Sequence, residues 1–540
     1  MNRLYYGDCF SVIQDYFGNA AVDLIYLDPP FNSQRQYNSI YRDETGRPLP
    51  DQIEAFCDMW ELNADREQEI RTMPVLMRES GIDDATVEFW RLWMNALRGT
   101  QPRLLAYLSY MARRLLVLHR ILKPTGSLYF HCDPTVSHYV KPLLDAIFGH
   151  RNFRNEIIWQ RTRSHSHAKR WGPVTDTLLY YGKSGRVTWN PPHIEHDDEY
   201  VSSKYRYNDD DGRGPYSLDN ITSPALRPNL IYEWKGHESP TLGWRYSRDT
   251  MAKLDADGRI WYPDSKSKRP RLKRYLNEMS GPVMNSVWTD IDSINSQAKE
   301  RMGYATQKPV ALLERIIKAS SNPGDVVLDP FCGCATTIEA AHRLGRKWIG
   351  IDIAIHAVKR VARVRLKERL GLVEGEDYEV EGVPQTLEGA QDLWERDKYQ
   401  FQKWAVEQVD GFVTAKQSAD GGIDGRLYFD VPNERDLQSM VLEVKGGASV
   451  GIGVLRQLKG VLDTTSALMA GLIVMRPLGT VQMRNFNRFM GEAGTLNVLG
   501  IDFPKMQILT VEDILAGRRF KTPTVAGLHI PQPRMPGVPV

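Results

Sequence analysis

The stretch Ala21-Val-Asp-Leu-Ile-Tyr-Leu-Asp-Pro-Pro-Phe31 decides how this chain folds. Val22 to Leu27 is short, aliphatic and aromatic, and polar only at Asp23, so it reads as a buried strand. Pro29 and Pro30 stop that strand, because neither donates to a ladder and each fixes its own φ. The strand therefore gives way to a rigid loop carrying the Asp28 carboxylate, backbone carbonyls and the Phe31 ring. In open α/β sheets ligands bind at such carboxyl ends of strands.

A second stretch, Asp325 to Asp352, has the same character. Val326 to Leu328 reads as a strand, Asp329-Pro-Phe-Cys-Gly-Cys-Ala-Thr336 as a tight small-residue turn, and Thr337 to Leu344 as a helix closed by Gly345. Trp348 to Ile351 is the next strand and Asp352 stands at its end. A βαβ unit with a small-residue turn and an acid after its second strand is the logic by which such folds hold an adenosine ribose. Just upstream, Thr306-Gln307-Lys308-Pro309 opens a helix through Leu312, Leu313 and Ile316.

Around these stretches the chain alternates. Leu4 to Phe10 holds a short strand and Gly7-Asp8-Cys9, and Ser11 to Phe17 a brief helix. Asn32 to Asp51 is polar and is expected to form a mobile loop over the site. Between Gln52 and Leu122, Phe89, Trp93 and Leu97, then Leu104, Leu108, Met111, Leu115 and Leu118, repeat at helical spacing and read as core. Ser127 to His131, Arg154 to Trp159 and Thr177 to Tyr181 are further strands; His131 and Cys132, lacking nearby partners, are assigned to packing. From Arg186 to Asn295 periodicity is lost. Within that insert Lys266, Lys268, Arg269, Arg271, Lys273 and Arg274 crowd next to Tyr275, a pattern suited to phosphates with aromatic rings for bases.

Asp28-Pro29-Pro30-Phe31, together with LKPTGSLYFHCDP, ATQKPVALLERII, LDPFCGCATT and WIGIDI, resembles the amino-group DNA methyltransferases. The motif order, catalytic loop first and cofactor turn last, resembles their β arrangement. The resemblance implies an α/β fold: a seven-stranded Rossmann-like sheet with a catalytic half at 1–185, a helical insert at 52–122, a target-recognition region at 186–295 and a cofactor-binding half at 296–371. It implies that Asp8, Thr306, Gln307, Lys308, Asp329, Phe331, Cys332, Gly333, Cys334, Thr336 and Asp352 serve S-adenosyl-L-methionine (AdoMet). It further implies double-stranded DNA as substrate, with Asp28 and the Pro29 carbonyl accepting from the amino group of a flipped base and Phe31 stacking on its ring. The D-P-P-F form resembles the adenine-N6 enzymes more than the cytosine-N4 ones. The family turn usually reads F-x-G-x-G, and Ala335 departs from it.

A second module lies beyond. Residues 372–398 read as a linker, 399–520 as a smaller α/β domain and 521–540 as a flexible tail. Asp424, in a DGGIDG turn, with Glu443-Val-Lys445 on one strand, resembles the D…ExK core of Mrr-like restriction endonucleases. In a strand Glu443 and Lys445 share a face; Asp424 and Glu443 would hold Mg²⁺ and Lys445 would orient water. Both modules together imply a single-chain restriction-modification enzyme. The alternative is a solitary methyltransferase whose C-terminal domain only binds DNA.

Composition narrows the setting. Lys plus Arg number 69 against 67 for Asp plus Glu, so DNA contact must be local rather than global. The five cysteines form no CxxC pair, which fits a reduced cytoplasmic protein, and the resemblance implies a prokaryotic or phage origin. No apolar run is long enough to cross a membrane, and the resemblance leaves room for a homodimer.

Overall fold

The computed structural model describes residues 2–29, 36–38, 54–57, 60, 62, 64–162, 171–194, 198–279, 281–295, 298, 300, 307–353, 358, 365–413, 423–431, 437–447 and 450–523. They form two compact units, residues 191–285 and the remainder.

The larger unit is built on a nine-stranded sheet in the order Val287–Trp288, Phe153–Gln160, Thr175–Gly182, Leu122–Cys132, Val22–Leu27, Val326–Asp329, Lys347–Asp352, Asn2–Tyr6, Tyr378–Glu381. The expected count is seven strands; the sheet has nine among the described residues, with the short strands Val287–Trp288 and Tyr378–Glu381 at its edges. All neighbours run parallel except Thr175–Gly182, which is antiparallel to both of its neighbours.

Val22–Leu27 lies at the centre because both of its faces are apolar. Ile25 and Leu27 meet the helices Cys9–Tyr16, Pro102–Ile121 and Ser137–Phe148, whereas Leu24 and Tyr26 join the core around the helices Val310–Ser320 and Thr336–Arg343. Helices on both faces make the sheet doubly wound. Asp23, the one polar residue of the strand, takes Lys123 Nζ at 2.9 and 2.8 Å and the Val326 amide at 2.9 Å, so it ties the strand to both neighbours at the end away from Asp28. The insert is three helices, Ala64–Glu79, Asp84–Thr100 and Pro102–Ile121; Asp83 caps the second by accepting from the Thr86 amide, and Pro102 opens the third.

The stretch expected as a linker carries structure instead. Tyr378–Glu381 is the sheet's edge strand beside Asn2–Tyr6, and Leu387–Arg396 is a helix. Beyond it, helix Lys398–Gln408 precedes a five-stranded sheet ordered Phe412–Val413, Gly425–Phe429, Gln438–Lys445, Met469–Val474, Met506–Thr510, with helix Ile452–Thr464 between its third and fourth strands. The core does not break at residue 372: Leu372, Tyr378, Leu393, Phe401 and Trp404 belong to one buried cluster that runs from Leu4 and Leu24 to Met440 and Leu442.

The smaller unit falls inside the range expected for target recognition. Its three-stranded antiparallel sheet places Arg271–Tyr275 between Tyr216–Asn220 and Ile260–Trp261. Ile221, Trp234, Trp244, Met251, Ile260 and Leu272 form its core.

Candidate active site

Two loops meet at the carboxyl edge of the larger sheet. Val22–Leu27 and Val326–Asp329 are direct neighbours, with Leu24 opposite Val327 and Ile25 opposite Leu328, so Asp28 and the turn after Asp329 leave the sheet side by side. Helix Val310–Ser320 brings a third element, because Lys308 stands just before its first turn. Lys308 Nζ donates to Asp28 Oδ1 at 2.8 Å and to Oδ2 at 2.6 Å. Both side chains are mostly buried, 10% and 17% exposed, where water screens the pair little. Pro29 is buried beside Asp28. Gln307 turns away, donating from Nε2 to the Glu300 carbonyl at 2.6 Å, while Glu300 Oε2 takes the Val310 amide at 3.1 Å. Pro30, Phe31, Thr306 and the 32–51 loop lie outside the described residues, 36–38 excepted.

The Cys332–Ala335 turn is built to bring backbone close. Gly333 has φ +47° and Ala335 φ +63°, both left-handed. Gly333 N donates to Asp352 Oδ2 at 2.8 Å, so the acid at the end of the next strand is fixed facing the turn. Gly350 lets helix Thr336–Arg343 press on that strand: a Cβ there would sit 2.4 Å from Ile338 Cδ1 and 3.1 Å from Cys332 Sγ. Asp329 accepts from the Phe331 amide at 3.1 Å and from Thr337 Oγ1 at 2.5 Å. Burial, aided by the charges of Asp28 and Asp352, outweighs those hydrogen bonds and pushes its carboxyl up to about 7.

Two expected cofactor residues face elsewhere. Cys334 Sγ and Thr336 Oγ1 contact each other at 3.3 Å, and Thr336 Oγ1 accepts from Arg365 Nη1 at 3.2 Å. Arg365 is itself paired with Glu339 at 2.8 Å, both fully buried, so these side chains anchor the turn from beneath. Asp8 caps helix Cys9–Tyr16 through the Phe10 and Ser11 amides and pairs with buried Arg114. Burial pushes the Asp8 carboxyl up, but Arg114 and the helix amides prevail and hold it below the usual carboxylate range.

One group assigned to packing stands at the site. His131, fully buried, bridges Tyr26 Oη at 2.7 Å through Nδ1 and Asp176 Oδ2 at 3.2 Å through Nε2. Asp176 lies 45 residues along the chain. A strand register, not a motif, joins them.

In the C-terminal sheet Glu443 Oε1 pairs with Lys445 Nζ at 2.8 Å, on the face where strand alternation puts both. Asp424 Oδ2 accepts from the Val444 amide at 2.8 Å across the neighbouring strand. Burial, together with the charge of Asp424, outweighs Lys445 and raises the Glu443 carboxyl. Two mutually repelling carboxylates beside an ammonium are a donor set that one hard dication with water ligands can use. Among the described residues no cluster of three or more His, Cys, Asp or Glu is placed to hold a metal. The first half of the DGGIDG turn lies outside the described residues.

The basic run in the smaller unit divides. Lys266, Lys268, Arg269 and Arg271 are exposed, whereas Lys273 pairs with Asp209 and Arg274 Nε stands 3.4 Å from Asp219.

A doubly wound sheet with an Asp-Pro loop and a glycine-bearing turn side by side at its carboxyl edge has the layout in which open α/β sheets bind their ligands. Residues 22–363 match the family described as DNA methylase, and the chain belongs to that family. The type II methyltransferase M.EcaI of Enterobacter cloacae is 36% identical over 261 residues, 48% of this chain and 57% of that protein. The type II methyltransferase M.BamHI of Bacillus amyloliquefaciens is 36% identical over 382 residues, 70% of this chain and 60% of that protein. The type III restriction-modification enzyme StyLTI Mod subunit of Salmonella typhimurium is 25% identical over 365 residues, 64% of this chain and 50% of that protein. The chain thus spans about half to three fifths of the length of these relatives. No helix among the described residues is long and apolar enough to cross a membrane.

Proposed function

We propose that the chain is an AdoMet-dependent DNA amino-methyltransferase of a prokaryotic restriction-modification system, acting on adenine N6 of a flipped base in double-stranded DNA. The observation that carries this reading is the adjacency of Asp28 and the Cys332–Ala335 turn on neighbouring strands. An exocyclic amine is a weak nucleophile because its lone pair is delocalised into the ring. Asp28 Oδ and the Pro29 carbonyl would accept its hydrogens, turn the nitrogen toward sp³ and aim the lone pair, which is positioning combined with preorganised electrostatics. Lys308 donates to both Asp28 oxygens, and each oxygen keeps a further lone pair with which to accept from the amine. AdoMet would supply the electrophilic methyl group. Gly333 and its neighbours give the close backbone approach that this ligand needs, and Asp352 offers a carboxylate for ribose hydroxyls. The preference for adenine over cytosine N4 rests on the D-P-P-F form alone.

The test is transfer of labelled methyl from AdoMet to DNA, followed by nucleoside analysis for N6-methyladenine against N4-methylcytosine. A wild-type chain that labels no DNA sinks the reading.

For the C-terminal module we infer a Mg²⁺-dependent endonuclease built on Asp424, Glu443 and Lys445. The order helix, three strands, helix, strand, with Glu443 and Lys445 on the central strand, supports it. A second reading is that the module only grips DNA. Plasmid incubated with Mg²⁺ alone separates the two.

A further inference from the structure

The carboxyl edge of the sheet holds a second set of polar groups that the proposed chemistry does not use. The ladder pairs Leu27 with Phe130, so Asp28 and His131 occupy its next rung. On the far side of that strand, Cys132 pairs with Thr177 and His131 with Leu178, which brings Asp176 to the same edge. Three adjacent strands therefore present Asp28, His131 and Asp176 in a row. Tyr26, two residues before Asp28 and on the same face of its strand, completes the set through its hydroxyl.

The groups form one chain running inward from the rim. Arg161 Nε, half exposed, stands 3.1 Å from Asp176 Oδ1. Asp176 Oδ2 takes His131 Nε2, and His131 Nδ1 meets the Tyr26 hydroxyl. Burial pushes the Asp176 carboxyl up, but His131, Lys308 and Arg161 prevail and hold it below the usual range. A carboxylate only accepts, so His131 Nε2 carries a proton, and in the neutral ring Nδ1 accepts from Tyr26. Burying an ionised group this deeply is costly unless every partner is in place, and an apolar trio would fill the same volume without that cost.

We propose that Asp176 and His131 are positioning residues for methyl transfer: with Tyr26 they fix the wall beside Asp28. The proposal rests on the methyltransferase reading above. With Asp176→Asn the shape is kept, the charge is lost, and the new amide can reverse the hydrogen bonds through His131 to Tyr26. The wall beside Asp28 then loses its fixed arrangement, and transfer slows while ligands still bind.

The experiment is single-turnover methylation by the full chain, with AdoMet and DNA affinities and thermal midpoints measured in parallel. D176N and H131Q should slow transfer about tenfold or more, the scale of small misplacements of a reacting group. Their AdoMet and DNA dissociation constants should stay within about twofold of wild type, so that the loss falls on the chemical step. Y26F alone should slow transfer, and D176N/Y26F should be no slower than D176N, because groups acting through one chain are not additive. Wild-type rates in D176N overturn the proposal, as do losses of D176N and Y26F that multiply, or a loss explained by weaker binding. Should D176N fail to fold, a wild-type rate in H131Q and Y26F overturns it equally. If wild-type chain labels no DNA, the methyltransferase reading fails and this proposal goes with it; a wild-type rate in D176N sinks this proposal alone.

Discussion

Lys308 Nζ lies 2.8 and 2.6 Å from the two carboxylate oxygens of Asp28, although 280 residues separate them in sequence. The pair closes the ring between the start of helix Val310–Ser320 and the end of strand Val22–Leu27. Asp28→Ala should lower methyl transfer by roughly two to three orders of magnitude, the loss seen when one preorganised group at a reacting centre is removed. Lys308→Gln should cost less, about ten- to a hundredfold, because the carboxylate survives without its anchor. Labelled-methyl incorporation measures both.

Asp329 gives a pH dependence of stability. Its carboxyl is raised to about 7 by burial in the folded chain, against an ordinary unfolded value near 4. The folded state then binds the extra proton, so this contribution is full below the unfolded value and is lost as pH rises through the folded one. Asp329→Asn, whose Oδ1 can still accept from the Phe331 amide while its Nδ2 donates to Thr337 Oγ1, should raise the thermal midpoint at pH 8 by several degrees more than at pH 5. Equal shifts at both pH values would contradict the assignment.

Ala335 holds a left-handed backbone where the family usually has glycine. The strain of that conformation is about 1–2 kcal/mol, and glycine returns roughly 0.5–1 kcal/mol of it as lost chain entropy. Ala335→Gly should therefore leave the midpoint equal or slightly higher, with AdoMet binding kept. Ala335→Val should lower both, since a β-branched residue tolerates this region poorly.

The C-terminal pair is tested without cleavage as the sole readout. Mg²⁺ should raise the thermal midpoint of wild-type chain by binding only the folded form, and Glu443→Gln should abolish that rise while methylation persists. Cleavage with Mg²⁺ should vanish in the same variant.

Exposed and paired cations of the smaller unit should behave differently. Replacing Lys266, Lys268 and Arg269 by alanine should flatten the log–log salt dependence of DNA binding by up to about 0.9 per lost phosphate contact. Lys273→Ala should instead lower the thermal midpoint, because Lys273 is committed to Asp209.

What could be read from sequence was local. Val22–Leu27 and the turn after Asp329 announce themselves because an apolar run ends at prolines or small residues, and both signals sit within a short window of neighbours. The edge strand Tyr378–Glu381 carries no such signal: Glu379 and Glu381 look like linker acids, yet they face Arg3, the latter at 3.3 Å. A strand with one open side needs no hydrophobic alternation. Val287–Trp288 is two residues long and carries no period at all. The bonds from Lys308 to Asp28 and from Asp176 to His131 depend on register and crossover, which no window of neighbouring residues contains.

The parallel ladder between Asn2–Tyr6 and Tyr378–Glu381 means that one edge of the larger sheet is covered by a strand from beyond residue 371. Gly382 seals the joint, since any side chain there would strike the Tyr6 carbonyl. A shortened chain ending near residue 371 would bare the hydrogen-bonding rim of its own first strand and invite edge-to-edge association. Severing the chain there would leave unpaired the strand edge that the full chain keeps covered.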